Sequence, residues 1–346
     1  MTCMQSLRSP RNLQQTSHRN LCQQALTLLL LLAMVVSCRR EAPVGEDPAA
    51  TSRPTRPRLI FSSSPAATSP QLPWLAAVAD GSLGALAIQE RQDWQNQQQL
   101  LSSLLSGKGD VWLGHCEGFA RARNAGAPIR ILAISGWRKW AVIARGNSLA
   151  WPELLRSSQP FALPAAPPAS PGEMLLEHLL AADGIVLRAE PNEPKQLMLK
   201  LLSGRVNMAL LPEPMVSTML AKDPSLSIVA NLEDLYSKRH GGQQRVPWAG
   251  FAIHEDLIRS QPDLPAKLVA VLTAAAARLA TLPPEQIAAV WPDELCDFVP
   301  RDMLLTALPR ELILVERACD VEEEIKTFLA IVNPDLPYDP ALLWRP

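Results

Sequence analysis

Beyond residue 58 the chain alternates short apolar runs with stretches whose apolar positions recur every three or four residues. The first pattern marks buried strands and the second amphipathic helices. The spacing predicts strands at Leu59–Ser62, Leu86–Gln89, Asp110–Leu113, Ile129–Ile134 and Trp140–Ala144. Between them it predicts helices from Ser69–Pro70 to about Ala79, from Asn96 to Leu105, and from about Glu117 to Asn124. A second series begins near Trp151, with strands at Pro160–Leu163, Ile185–Ala189, Val206–Leu211 and Ser227–Ala230. Its helices run from Ser170 to about Ala182, Glu193 to Leu202 and Pro214 to Ala221. From Pro247 the chain reads as a return to the first series, with a strand at Trp248–Ile253, a long helix at Leu264–Leu282 and a helical tail to about Val332. Strands alternating with helices in this way predict parallel sheets covered by helices.

Local chemistry fixes several of these boundaries. Ser170-Pro171-Gly172-Glu173 combines a serine cap, proline at the first helical position and a glutamate three residues on, which together mark a helix start. Gly107 and Gly204 follow apolar helical patterns and are placed to end them, since glycine adopts the left-handed conformation such ends need. These two glycines sit inside an internal echo. Leu104-Leu105-Ser106-Gly107-Lys108-Gly109-Asp110-Val111 recurs as Leu201-Leu202-Ser203-Gly204-Arg205-Val206-Asn207-Met208. Each copy falls at a similar distance after the first strand of its own series, so two similarly wound α/β lobes explain the echo economically.

The first 38 residues stand apart from this pattern. Arg8, Arg11, His18 and Arg19 precede an apolar run from Ala25 to Val36 that ends in Ser37-Cys38. A bilayer crossing takes about 20 apolar residues, and the run is shorter, with the flanks of a signal peptide. Val35-Val36-Ser37-Cys38 resembles a bacterial lipobox, which implies acylation of the Cys38 thiol and a membrane anchor on the periplasmic side of the envelope. The segment from Arg39 to Pro57 is rich in proline, alanine, threonine and charge, as a tether would be. The expected organisation is therefore a signal peptide at 1–38, a tether at 39–57, a first lobe from 58–146 with 247–346, and a second lobe with its hinge crossovers at 147–246.

Composition narrows the function. The formal net charge of the 346-residue chain is -1, and no basic run with interleaved aromatics occurs, so nucleic acid is not an expected partner. Of six cysteines, Cys116, Cys296 and Cys319 belong to the folded part. Cys296 and Cys319 are a possible bridge in an oxidising compartment. No Cys/His spacing points to zinc, and no cofactor is expected.

Leu104–Gly114 and Leu201–Pro214 resemble the paired "Leu-x-x-Gly-x-(Asp/Asn)-x-Ala" junctions of ABC-transporter substrate-binding proteins. The branch most resembled is the one for nitrate, taurine, alkanesulfonates and thiamine-precursor pyrimidines. Gly126-Ala127-Pro128-Ile129 resembles that branch's entry to its fourth strand, and Pro212-Glu213-Pro214 its "x-Glu-Pro" helix start. Ser62-Ser63-Ser64-Pro65 and Asn207 depart from the branch's pattern, which leaves the identity of the solute open. The resemblance implies an α/β, two-lobed periplasmic-binding-protein type II fold, each lobe a mixed, mostly parallel sheet flanked by helices. It further implies a monomer that delivers a small polar or anionic solute to an ABC permease by hinge closure.

Ligands of open α/β sheets sit beyond the carboxyl ends of the strands, where helices begin. That rule selects Ser63, Ser64, His115, Ser135, Trp137, Ser170, Glu213 and Trp248 as candidate ligand-binding residues. Each carries a second reading. Ser63 and Ser64 also suit a turn, Ser170 a helix cap, and His115 a satisfied structural position. Glu213 also suits a first-turn carboxylate facing the helix dipole, and Trp137 and Trp248 also suit the core. Arg138 and Lys139 fit an anion, or simply a solvated loop. A same-fold enzyme of the menaquinone-pathway type is the rival class. The export leader, and the absence of nucleophile–base, metalloprotease and P-loop motifs, argue against it. A ligand-sensing lipoprotein is a third class that the sequence leaves open.

Overall fold

The computed structural model describes residues 59–84, 88–146, 156, 161–168, 170–242 and 245–346. The expected signal peptide, tether and Cys38 lie outside the described residues. Two sheets organise the rest. The six-stranded sheet contains β1 (Leu59–Ser63), β2 (Ile88–Asp93), β3 (Val111–His115), β4 (Ile129–Gly136), β10 (Ala249–His254) and β11 (Glu316–Arg317). Their order is β11-β4-β10-β3-β1-β2. The five-stranded sheet contains β5 (Trp140–Arg145), β6 (Phe161–Ala165), β7 (Leu187–Pro191), β8 (Met208–Pro212) and β9 (Leu226–Asn231), in the order β7-β6-β8-β5-β9.

The two sheets are built alike. In the first, β1 runs parallel to β2 and β3, and β10 is inserted antiparallel between β3 and β4. In the second, β6 runs parallel to β7 and β8, and β5 is inserted antiparallel between β8 and β9. Each inserted strand follows a passage from the other sheet. β5 therefore belongs to the second sheet, although the sequence pattern grouped residues 58–146 together. Its residues Trp140–Ala144 are buried throughout, so their pattern carries no mark of which sheet they join. The change of sheet happens at Trp137–Lys139, where Arg138 adopts a left-handed φ of 53°.

The echoed junctions share one geometry. After α2 (Gln97–Leu105) the Gly107 N–H donates to Leu104 O and the Lys108 N–H to Ser103 O. After α5 (Pro194–Leu202) the Gly204 N–H donates to Leu201 O and the Arg205 N–H to Lys200 O. Both are Schellman ends, with Gly107 at φ 61° and Gly204 at φ 70°. The other expected helices form as α1 (Leu72–Ala79, entered through a 3-10 turn at Ser69–Gln71), α3 (Cys116–Asn124), α4 (Pro171–Ala181), α6 (Met215–Lys222) and α9 (Leu264–Leu279). Two short helices were not anticipated, α7 (Leu232–Arg239) and α8 (Glu255–Ser260), nor was β11. α7 has a polar sequence, LEDLYSKR, and its asparagine cap and acidic first turn were its only signals. The tail supplies α10 (Pro284–Ala289), α11 (Arg301–Ala307) and α12 (Glu322–Val332).

Packing follows the layers. One face of the first sheet holds Phe61 against Trp74, stacked at 4.1 Å, with Phe251 beside them under α1 and α9. One face of the second sheet packs Ile143, Ala209 and Leu211 on α5 and α6. The largest apolar cluster joins the two sheets. It runs from Trp112 and Ile131 through Trp248 and Trp140 to Leu175, Leu179 and Leu210, closed by Ile325 and Phe328 of α12. Trp248 lies 6.1 Å from Trp140 and meets Phe328 edge-on at 5.3 Å. Gly172 has no side chain because a Cβ there would reach within 2.4 Å of the Trp140 ring.

Cys116, Cys296 and Cys319 are free thiols. The bridge considered for Cys296 and Cys319 is not formed: the Cys296 thiol faces Pro292 O and the Cys319 thiol the Asp320 carboxylate. Among the described residues no helix is long and apolar enough to cross a membrane.

Candidate functional site

The passage from β4 to β5 brings the two sheets' strand ends together. On the first sheet, Ala249 pairs with His115 on one side and Gly136 on the other. The Cys116 N–H donates to Trp248 O at 3.0 Å, and the Trp248 N–H to Gly136 O at 3.0 Å. The ends of β1, β3 and β4 thus form one edge, from which Ser69–Gln71 and α3 begin. On the second sheet, Trp140 pairs with Pro212 and Ala141 with Asn231, and the Glu213 N–H donates to Lys139 O at 2.7 Å. The carboxyl ends of β8 and β9 therefore border the same passage, and α6 and α7 begin there.

Two adjacent tail residues bridge these edges. Arg310 donates through Nε to Glu213 Oε1 at 2.9 Å and through Nη2 to Ser217 Oγ at 2.6 Å, both on the second sheet's side. Glu311 turns the other way. Its Oε1 accepts from Thr68 Oγ1 at 2.6 Å and pairs with Lys139 Nζ, and its Oε2 accepts from the Ser69 N–H at 3.3 Å. Lys139 Nζ also donates to Thr68 Oγ1 at 2.9 Å. The Glu311 side chain is 0% exposed and that of Lys139 12%, so solvent screens this pair far less than a surface pair.

The sequence-selected residues gather along the edges but differ in what they do. The Ser63 hydroxyl is buried and donates to Gln71 Oε1 at 3.3 Å, and Ser64 Oγ accepts from the Ala66 N–H at 3.4 Å. Both bonds hold the turn between β1 and α1. Ser170 Oγ accepts from the Glu173 N–H at 3.3 Å and caps α4. Glu213 is committed to Arg310 and to Ser217, whose N–H and Oγ donate to Oε2 at 3.1 and 2.7 Å. Trp137 is buried, donates to Leu314 O at 3.1 Å and carries the Arg245 guanidinium 4.5 Å above its ring. Trp248 is buried in the shared core and donates to Glu233 Oε1 at 3.1 Å.

Three polar atoms at the first sheet's edge stand differently. Ser69 Oγ, Ser135 Oγ and His115 Nδ1 are buried and make no hydrogen bond to any described residue. They sit on separate elements of the first sheet's side: the Ser69–Gln71 turn packs on β4, Ser135 lies in the bulge of β4 opposite Ala249–Gly250, and His115 ends β3, on the other side of β10. Leaving a buried polar group unpaired costs about 1–3 kcal/mol. A ligand that supplied a partner to any of them would offset that cost. Burial first, and the nearby Lys139 ammonium second, push the His115 pKa down to about 4, so this imidazole is neutral near pH 7.

Burial acts oppositely on Glu233, pushing its pKa up to about 7 against the bonds from the Arg138 N–H and Trp248 Nε1. Its second oxygen makes no bond to a described residue. Cys116, next to His115, points into the core, and burial pushes its thiol well above the usual range. Glu117 pairs with Arg121 and accepts from Asn333 Nδ2 at 3.0 Å.

Sequence reasoning missed Thr68, Ser69, Glu233, Arg310 and Glu311, and gave Lys139 a solvated loop as its default. Arg310 and Glu311 lie in an unpatterned stretch between helices, far along the chain from the side chains they meet across the passage. Ser69 was visible only as a helix start, and Thr68 not at all.

With this geometry in view, the fold is similar to that of solved periplasmic binding proteins. The periplasmic aliphatic sulphonate binding protein of Escherichia coli matches with a TM-score of 0.63 over 84% of this chain and 92% of its own, at 14% identity. The periplasmic nitrate-binding protein of Synechocystis PCC 6803 matches with a TM-score of 0.55, covering 82% of each chain at 14% identity. An ABC transporter protein of Parabacteroides distasonis gives 0.62 over 83% of this chain and 99% of its own, at 16% identity. The two-sheet α/β fold with flanking helices is thus the periplasmic-binding-protein type II fold. No protein-family model matches the sequence, and no curated protein does.

Proposed function

We propose that this protein is an extracytoplasmic solute-binding protein that takes a small polar solute between its two lobes and delivers it to an ABC importer. The observation that carries this reading is that Ser69 Oγ, Ser135 Oγ and His115 Nδ1, each at a strand end or helix start of the first sheet, are buried without a hydrogen-bond partner among the described residues. The similar folds of a sulphonate-binding and a nitrate-binding protein support it. The passage at Trp137–Lys139 and the return before β10 serve as the hinge in this reading, with residues 58–139 and 247–346 as one lobe and 140–246 as the other. The lobes swing about these short links and close over the solute. In the same reading the leader ending at Cys38 directs export, and acylation of Cys38 tethers the protein outside the cytoplasm.

Binding is favoured over catalysis by the pair at the end of β3. A Cys–His nucleophile needs a thiolate beside an imidazole that accepts its proton. Here the thiol is buried in the core with its pKa raised, and the imidazole is a poor base. The test is a thermal-shift and calorimetric screen of sulfonates, nitrate, bicarbonate, aminopyrimidines and uncharged polar solutes. A cognate solute raises the melting temperature by several degrees through mass action, and Ser135→Ala with Ser69→Ala weakens its binding. A solute whose binding both substitutions leave unchanged places the site elsewhere and overturns the reading.

A further inference from the structure

We propose that Glu311 is a built-in anion of the cleft, so that the solute the cleft accepts is an uncharged hydrogen-bonding molecule and free small anions are excluded. This rests on the reading that solute binds between the lobes. Lys139 Nζ, Thr68 Oγ1 and the Ser69 N–H form a set of donors suited to a carboxylate, and both oxygens of Glu311 already fill it. The Glu311 side chain is fully buried there.

The other cations at the meeting line also face carboxylates, Arg310 a buried one and Arg138 an exposed one. Arg310 holds Glu213 and Ser217, and Arg138 faces Asp234 at 3.2 Å. An incoming sulfonate, nitrate or carboxylate meets cations whose charge the chain has already neutralised. To reach Lys139 it must expel Glu311 from its partners, which strands a buried charge. Among the described residues, the groups left unpaired along the passage are two hydroxyls, a neutral imidazole nitrogen and the second oxygen of Glu233, and none of them is a cation. Each exchanges hydrogen bonds with an uncharged amide or heterocycle without any compensating ion.

Chemical rescue tests the assignment. Glu311→Ala opens the space the carboxylate fills and leaves Lys139 and Thr68 in place. Acetate and methanesulfonate, compared with chloride at matched ionic strength, are expected to raise its melting temperature by several degrees and to leave the wild type unmoved. Glu311→Gln keeps the side-chain volume and stands in if the alanine variant does not fold. It is expected to bind methanesulfonate about tenfold or more tightly than the wild type, and adding Lys139→Met is expected to abolish that gain. Wild-type protein that binds methanesulfonate or nitrate as tightly as the variants do overturns the exclusion while leaving binding between the lobes intact. Variants that gain no affinity for either anion overturn the assignment of Glu311, whatever uncharged solute the wild type binds.

Discussion

Lys139 and Glu311 stand 172 positions apart in sequence and form an ion pair where the chain passes from one sheet to the other. The next residue back, Arg310, holds Glu213 on the far side of the same passage. Opposite charges on neighbouring residues thus grip opposite sides of the junction, and the segment around Leu308–Arg310 works as a strap across it.

Cutting the strap separates its parts. Arg310→Ala leaves Glu213, a buried carboxylate, with Ser217 alone. The expected cost is about 1–3 kcal/mol, since Arg310 itself is partly exposed and solvent takes part of the charge. Chemical denaturation measures it. Small-angle scattering of the ligand-free variant is expected to show a larger radius of gyration as the lobes part. Arg310→Leu combined with Glu213→Leu is expected to recover most of the stability, because an apolar pair strands no charge.

Glu233 and His115 give stability opposite slopes with pH. The Glu233 pKa rises from 4.5 to about 7 on folding. Its contribution is complete below pH 4.5 and is lost as pH rises through 7, because the unfolded chain releases its proton first. The His115 pKa falls from 6.5 to about 4. Its contribution is complete above pH 6.5 and is lost as pH falls through 4. Melting temperatures recorded across this range are expected to show Glu233→Gln gaining on the wild type by a few degrees as pH rises. His115→Gln is expected to gain as pH falls. A parallel offset at all pH values for either variant contradicts its assigned shift.

Trp248 joins the shared core and the Glu233 carboxylate. Trp248→Ala is expected to cost about 3–5 kcal/mol, the range for a buried tryptophan. Trp248→Phe keeps much of the packing and loses the 3.1 Å bond to Glu233. Its loss is expected to be smaller and to push the Glu233 titration higher, which carboxylate infrared or carbon-13 NMR titration detects.

The proposed anchor rests on one thiol. Cys38→Ala is expected to abolish metabolic labelling by a fatty acid and to leave unprocessed precursor in the membrane fraction. Unchanged labelling removes the lipid tether from the proposal and leaves the binding site untouched.

The architecture was legible where local chemistry repeats a rule. Gly107 and Gly204 end their helices in the same way because each sequence copy carries the same glycine after the same two leucines. Ser170 caps α4 as its box predicts. Sheet membership was not legible for Trp140–Ala144, since a strand buried on both faces shows no alternation to assign. Edge strand β2 extends into Gln89–Asp93, a polar run with little strand signal of its own. The candidate site was legible as a set of strand ends and helix starts. Which side chains stay unpaired there was not, because only the folded chain sets Gln71 Oε1 where the Ser63 hydroxyl donates to it and leaves Ser69 Oγ without a partner among the described residues.

Trp140, Trp248 and Phe328 place aromatic rings from the second sheet, the first sheet and the tail in one continuous apolar body. Each half keeps a cluster of its own on its outer face but shares this one, so heat is expected to melt both in a single calorimetric transition. An isolated fragment covering 140–246 would expose the faces of α4 and α7 that this body covers, and it would clump out of solution before it could report on any solute.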